Sequence, residues 1–256
     1  MNYRDHLHSP CPIVHRGLCS HAPENSLSAL EAAIAAGHSV LEIDIRATAD
    51  GVLVLMHDDS LLRMTGLDQP VESMTSADLS WLRLHDGHRI PRLTEALELC
   101  RDRACVHLDA KDRRILPEVI ATATRMGMAE QVDVWGDLRS SADLDWFRQV
   151  VPKGMLRMAR LWLDAPDIAA QTARLHALHP EICELRFAHP DQIAAFAPNA
   201  QGVALMANTL PGIAPAAFDD RTAPETTWRT LIAAGVTLIQ TDEACALRRL
   251  IQQDRP

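Results

Sequence analysis

Eight short apolar runs, each followed by a longer stretch with helical spacing, constrain this chain more than any other feature. The runs are PIVH (12–15), VLEIDI (40–45), CVHLDA (105–110), VDVWG (132–136), MLRMAR (155–160), ICELRF (182–187), VALMA (203–207) and TLIQTD (237–242). Alanine- and leucine-rich segments lie between them at 26–37, 92–102, 117–127, 165–178 and 189–198. In the first of these, Leu27, Leu30, Ala33 and Ile34 share one face and Gly37 supplies the stop. Strand–helix alternation of this kind calls for parallel strands joined by crossover helices. Eight repeats in 256 residues suit a closed barrel, which needs ~250 residues. The expected fold class is therefore α/β, a (β/α)8 TIM barrel, as a single domain over 1–256. A ninth run, GVLVLMH (51–57), follows a turn at Asp50-Gly51 and reads as an extra strand outside the eight, ending at His57.

Apolar residues make up 47% of the chain, enough to fill such a core, and the net charge is -9. Nucleic-acid and membrane surfaces select basic faces, so neither is an expected partner. No apolar run approaches the ~20 residues of a membrane-spanning helix. Six cysteines without CxxC spacing read as thiols of a reducing compartment. With no apolar leader at the N-terminus, the expected location is cytoplasmic. The sequence leaves the oligomeric state undetermined.

In a (β/α)8 protein, chemistry gathers where strands end. The first run ends in His15-Arg16-Gly17, and the ninth in His57-Asp58. The second carries Glu42 and Asp44 two residues apart, so both side chains leave one face, and the third carries His107, Asp109 and Lys111 at the same spacing. Carboxylates aimed into a barrel are costly unless they pair or bind a cation. Glu42, Asp44 and Asp109 together offer oxygen donors suited to Mg2+ or Ca2+ rather than zinc. With Arg16 and Lys111 beside a divalent ion, the set suits a phosphate ester, and His15 and His57 can divide the acid and base work. Spacing alone leaves plainer readings open. Glu-x-Asp on a strand is often a solvated face, Lys111 can simply pair with Asp109 or Asp112, and His107 reads as packing or support. The same plain reading is given to His21, His38, His85, His88, His176, His179 and His189.

In order along the chain stand His15-Arg16-Gly17, Ala22-Pro23-Glu24-Asn25-Ser26, a helix ending at Gly37, Glu42-Ile43-Asp44, Thr48-Ala49-Asp50-Gly51 and His57-Asp58 with Leu61 and Arg63. Ile90-Pro91-Arg92-Leu93 through Leu97, Leu108 to Lys111, and Gly235-Val236 to Thr241-Asp242 follow. This pattern resembles the glycerophosphodiester phosphodiesterase family, densely over 13–111 and thinly over 112–230. The resemblance implies a (β/α)8 barrel that hydrolyses glycerophosphodiesters to glycerol 3-phosphate and an alcohol. It implies His15 and His57 as acid/base pair, Arg16 and Lys111 on the phosphate, and Glu42, Asp44 and Asp109 on a divalent metal ion, Mg2+ or Ca2+. A glycerol hydroxyl would attack phosphorus, and water would then open the cyclic phosphate.

Asp109 stands where the family has Glu, Ser26 replaces a Thr, and the segment 203–208 lacks a tryptophan common there. The shorter Asp109 bears on where the metal sits, the Ser26 change is mild, and the missing tryptophan bears on the alcohol that is released. The alternative readings are the same chemistry on a lysophospholipid or sugar phosphodiester, and a non-catalytic barrel binding protein. The short stretch 58–90 predicts an open mouth without the larger insertion of some members. Trp81, Trp135, Trp146, Trp162 and especially Phe187 are candidates for the aromatic wall, with Glu184 as inward support.

Overall fold

Each of the eight apolar runs becomes a strand. The structure, a computed structural model, describes residues 1–20 and 22–254. In chain order the elements are β1 (Cys11–Val14), α1 (Leu27–Ala35), β2 (Val40–Ala47), β3 (Leu53–Leu55), α2 (Leu62–Thr65), α3 (Ser76–Trp81), α4 (Leu93–Cys100), β4 (Cys105–Ala110), α5 (Leu116–Arg125), β5 (Val132–Asp137), α6 (Ser141–Val150), β6 (Leu156–Trp162), α7 (Ile168–Leu178), β7 (Ile182–Arg186), α8 (Pro190–Phe196), β8 (Ala204–Asn208), α9 (Pro224–Ala233), β9 (Val236–Thr241) and α10 (Ala244–Gln253). Eight parallel strands alternating with helices make the fold class α/β, a (β/α)8 TIM barrel. Contacts divide the chain into two compact units, one of Met1 and His15–Val132, the other of Asn2–Val14 and the residues from Asp133 onward.

In the first unit β2 is the organising strand. It pairs in parallel with β4, setting Glu42 opposite His107 and Asp44 opposite Asp109. Leu41, Ile43 and Ile45 on its other face are fully buried, each worth about 1.5–3 kcal/mol over exposure. On its other edge β2 pairs antiparallel with β3, Ile45 against Leu55. The Asp50-Gly51 turn closes this hairpin: Thr48 Oγ1 donates to Asp50 Oδ1 at 2.6 Å, and Gly51 adopts φ +78°. The extra strand is thus present but shorter than 51–57. Val52 accepts from the backbone of Thr48 inside the turn, and Met56 leaves the ladder to donate to Asp44 O. Beyond it, residues 58–90 are not a bare loop. They hold α2 and α3 around a small apolar cluster of Val54, Met56, Leu61, Met64, Val71, Leu79, Leu84 and Ile90.

In the second unit β1, β9, β8, β7, β6 and β5 pair in parallel in that order. Its core holds the fully buried Tyr3, Phe147 and Trp228. Gly136 on β5 lies against Phe147, where a Cβ would meet the ring at 2.8 Å. No helix among the described residues is long and apolar enough to cross a membrane.

Candidate active site

The first unit brings together the carboxylates and cations that the sequence singles out. After β1 the chain turns sharply at Arg16 and Gly17, both at positive φ (+54° and +84°). A glycine is required at the second position, because a Cβ there would lie 2.7 Å from the backbone of Ala29. The turn aims the Arg16 backbone N–H at both the carbonyl oxygen and Oε2 of Glu42, each at 3.1 Å. His15, half-buried, stands at the head of this turn. Asn25, also at positive φ (+58°), sits just before α1, where Ser26 caps the helix by accepting from the Ala29 N–H.

Glu42 and Asp44 are buried at 1% and 0% exposure. Their oxygens and one of Asp109 all lie within 4.8 Å of one another. Lys111 Nζ bridges Asp44 Oδ1 at 2.5 Å and Asp109 Oδ2 at 2.6 Å, while Arg16 Nε reaches Asp44 Oδ2 at 2.9 Å. Asn25 grips Asp44 twice, donating from Nδ2 to Oδ2 at 2.7 Å and accepting the Asp44 N–H at 3.0 Å. The Lys111 pairing with Asp109 is therefore realised, while Asp112 pairs instead with Arg114.

Three carboxylates stand against two cations in a largely buried cluster, and Glu42, Asp44 and Lys111 are shifted accordingly. Burial, then the charges of Asp44 and Asp109, push Glu42 well above the ordinary carboxylate range. Burial alone would raise Asp44 too, but Lys111 and Arg16 hold it below its ordinary value. Burial opposes the charge on Lys111, yet Asp109, Asp44 and Glu42 outweigh it and raise the amine. A carboxylate whose charge is suppressed by its neighbours is a group that a cation would relieve. The donor set is all oxygen and part of it is buried, which suits a hard divalent ion over zinc.

The hairpin supplies the second imidazole. Met56 donates its N–H to Asp44 O at 3.1 Å, so the following His57 leaves from the edge of the acidic cluster. His57 Nδ1 is 2.7 Å from Asp58 Oδ1, and its carbonyl accepts from Arg46 Nε at 2.9 Å. The partner on Nδ1 leaves Nε2 as the ring nitrogen available for chemistry. Arg63 hydrogen-bonds Asp58 and Glu24, and Arg16 reaches Glu24 through NH1 at 3.0 Å.

Reading the sequence by strand faces leaves out Glu24, Asn25 and Asp58, which contact the predicted residues Arg16, Asp44 and His57, and Arg63, which binds Glu24 and Asp58. They lie on turns and on α2, where side-chain direction has no two-residue rhythm; their signal was their place in the ordered motif. His107 is buried beside Glu42, as supporting packing would have it. His38 is buried, His85 binds the Arg63 carbonyl, His88 binds Asp86, His176 binds the Asn199 carbonyl and His189 packs on Phe218. His179 closes α7, and His21 lies outside the described residues.

In the second unit Glu184 gathers three donors. Its buried carboxylate accepts from Arg160 Nε at 2.7 Å and Asn208 Nδ2 at 2.9 Å and pairs with Arg186 at 2.9 Å. Arg160 stacks 4.0 Å over Trp135, Arg139 4.4 Å over Trp162, and Phe187, one residue past β7, packs on Phe218. Trp81 is 83% exposed on α3.

Fold class and cluster together define a (β/α)8 protein with an acidic, cation-ready centre. Residues 15–244 match the Glycerophosphoryl diester phosphodiesterase family, and the chain belongs to it. A glycerophosphodiester phosphodiesterase of Caldanaerobacter subterraneus is 34% identical over 98 residues, 36% of this chain and 40% of that protein. Glycerophosphodiester phosphodiesterase 1 of Mus musculus is 36% identical over 109 residues, 39% of this chain and 33% of that one. The chain thus spans 40% or less of the length of these curated relatives. The crystal structure of an Agrobacterium tumefaciens glycerophosphodiester phosphodiesterase is similar over 93% of this chain and 99% of that one, with TM-score 0.73 and 25% identity. An Oleispira antarctica phosphodiesterase, solved in complex with the product sn-glycerol-3-phosphate, shares the fold over 95% of this chain and 97% of its own, with TM-score 0.72 and 22% identity.

Proposed function

We propose that the chain hydrolyses glycerophosphodiesters to glycerol 3-phosphate and an alcohol, with a divalent ion, Mg2+ or Ca2+, on Glu42, Asp44 and Asp109. The carrying observation is the convergence of these carboxylate oxygens within 4.8 Å beside Arg16 and Lys111. When bound, the ion supplies charge neutralisation at the phosphate. Arg16 and Lys111 add fixed positive charge for the non-bridging oxygens. Of His15 and His57, one takes the proton of the attacking hydroxyl and the other returns a proton to the leaving alcohol oxygen. Asp58, accepting at His57 Nδ1, orients that ring with its proton on Nδ1 and leaves the Nε2 lone pair to take or return a proton. The glycerol hydroxyl is the first nucleophile and water the second. The bound product of the Oleispira protein supports this substrate class. None of the six cysteines is in a disulfide, which supports a cytoplasmic location.

A second reading has one specific support: a human lysophospholipase D is 28% identical over 141 residues, half of this chain. The cavity of about 530 Å³ reached at Lys111 is lined by the charged Arg46, Asp59, Glu72, Asp112 and Arg114 and by the apolar Ala47, Pro70, Val71 and Ile115. Its charged part suits a small polar alcohol and its apolar part a longer chain, so the choice between the two rests on substrate turnover. A panel of glycerophosphocholine, glycerophosphoethanolamine, a lysophospholipid and a sugar phosphodiester, run with a divalent-ion series, separates the two. Turnover of the first pair, abolished by EDTA and by His15→Ala or His57→Ala, is the expected result. Full activity in EDTA, or in either histidine variant, would remove the corresponding assignment.

A further inference from the structure

We infer that Arg63, on α2 outside the barrel strands, is a positioning residue that holds His57 and Arg16 in one frame. The inference rests on the roles proposed above for those two residues. The Arg63 guanidinium makes four hydrogen bonds to two carboxylates. Nε and NH2 bind Asp58 at 2.6 and 3.1 Å, and NH1 and NH2 bind Glu24 at 2.9 and 2.6 Å. Each carboxylate passes the constraint inward. Asp58 Oδ1 holds His57 Nδ1 at 2.7 Å, and Glu24 Oε1 holds Arg16 NH1 at 3.0 Å. Arg16 continues to Asp44 through Nε at 2.9 Å. The sequence of contacts His57, Asp58, Arg63, Glu24, Arg16, Asp44 therefore runs unbroken from the imidazole to the acidic cluster.

Isolated surface ion pairs contribute ~0–1 kcal/mol, so stability gives little reason for so complete a use of one fork. Glu24 and Asp58 are only 18% and 27% exposed, and Arg63 closes over both. Lysine could supply the charge but not the planar fork. The charged groups about His57 are Asp58, Arg63 through it, and Arg46 on the carbonyl. Removing Arg63 leaves the Asp58 charge to act on the imidazole alone, which favours the imidazolium.

The test compares Arg63→Met and Arg63→Lys with the parent protein by NMR titration of the histidine rings and by steady-state kinetics on glycerophosphodiesters. In Arg63→Met the His57 titration should move up by about half a pH unit or more. Its kcat should fall roughly 10- to 100-fold with KM nearly unchanged. In Arg63→Lys the titration should stay near the parent while kcat remains reduced. A His57 titration unmoved in Arg63→Met overturns the inference, whatever the activity, as does parental kcat in either variant. If the parent hydrolyses none of the diesters, the proposed reaction fails, and the ring titration still decides this point.

Discussion

Gly17 and Gly51 allow a matched test of how tightly the His15-Arg16 turn is packed. Both adopt positive φ, +84° and +78°, so replacing either by alanine places a Cβ in the same disfavoured region. That costs ~1–2 kcal/mol, offset by ~0.4–1 kcal/mol from the stiffer unfolded chain. At Gly51 nothing lies within 4 Å, so Gly51→Ala should cost only this balance, about 1 kcal/mol or less. At Gly17 the new Cβ would stand 2.7 Å from the Ala29 carbonyl carbon, 2.8 Å from its Cβ and 2.9 Å from its oxygen. Backbone cannot swing aside as a side-chain tip can. Overpacking adds ~1–3 kcal/mol, for a total of about 2–4 kcal/mol. For a chain of this size each kcal/mol moves Tm by roughly 2–4 °C. Thermal melts followed by circular dichroism, backed by urea titration, would read the difference. Gly17→Ala should melt several degrees below Gly51→Ala and lose turnover, because the Arg16 N–H would leave Glu42. Equal losses in the two variants would refute the packing argument.

Asn25→Ala should cost about 2 kcal/mol by stranding the Asp44 N–H and weaken divalent-ion binding roughly 10- to 100-fold in calorimetric titration; unchanged ion affinity would deny Asn25 its hold on Asp44. Asp50 titrates at about 2 rather than 3.8, because Thr48 and Ser76 hydrogen-bond its charged form. Its folded value lies below the unfolded one, so its stabilisation is complete above pH 3.8 and lost as pH falls towards about 2. The stability gap between the parent and Asp50→Asn should accordingly shrink across that window in acid-dependent urea melts, and a constant gap would count against it. Glu184→Ala should destabilise by about 3 kcal/mol, since it takes a buried carboxylate from Arg160 and Arg186, whereas Glu184→Gln should cost less; equal losses would mean the charge is immaterial.

Much of this was legible in the amino-acid order. All eight parallel strands fall within two residues of the apolar runs, because strands buried on both faces are written as unbroken Val, Ile and Leu. Glu42 and Asp44 stood out as the polar interruptions of such a run, and the β2–β4 register placed Asp109 alongside. Helices α6, α9 and α10 were not anticipated, although α6 carries a readable start signal, Ser140 capping with Asp143. The network of Arg160, Glu184, Arg186 and Asn208 stayed hidden for a different reason. It joins residues far apart in sequence across three strands, and only pairing in space reveals that Glu184 has three donors. The apolar cluster from Val54 to Ile90 was likewise hidden, since its members are spread too irregularly to show a period.

That cluster has an engineering consequence. Val54 of β3 and Met56, the residues on which the His57 loop stands, belong to it, so the loop rests on this cluster as well as on the β2–β3 hairpin. Grafting longer or shorter segments onto the polar rim at 66–70 should retune which molecules gain entry while the imidazole keeps its footing. Evolution, or a library builder, could remodel that doorway without touching the frame behind it.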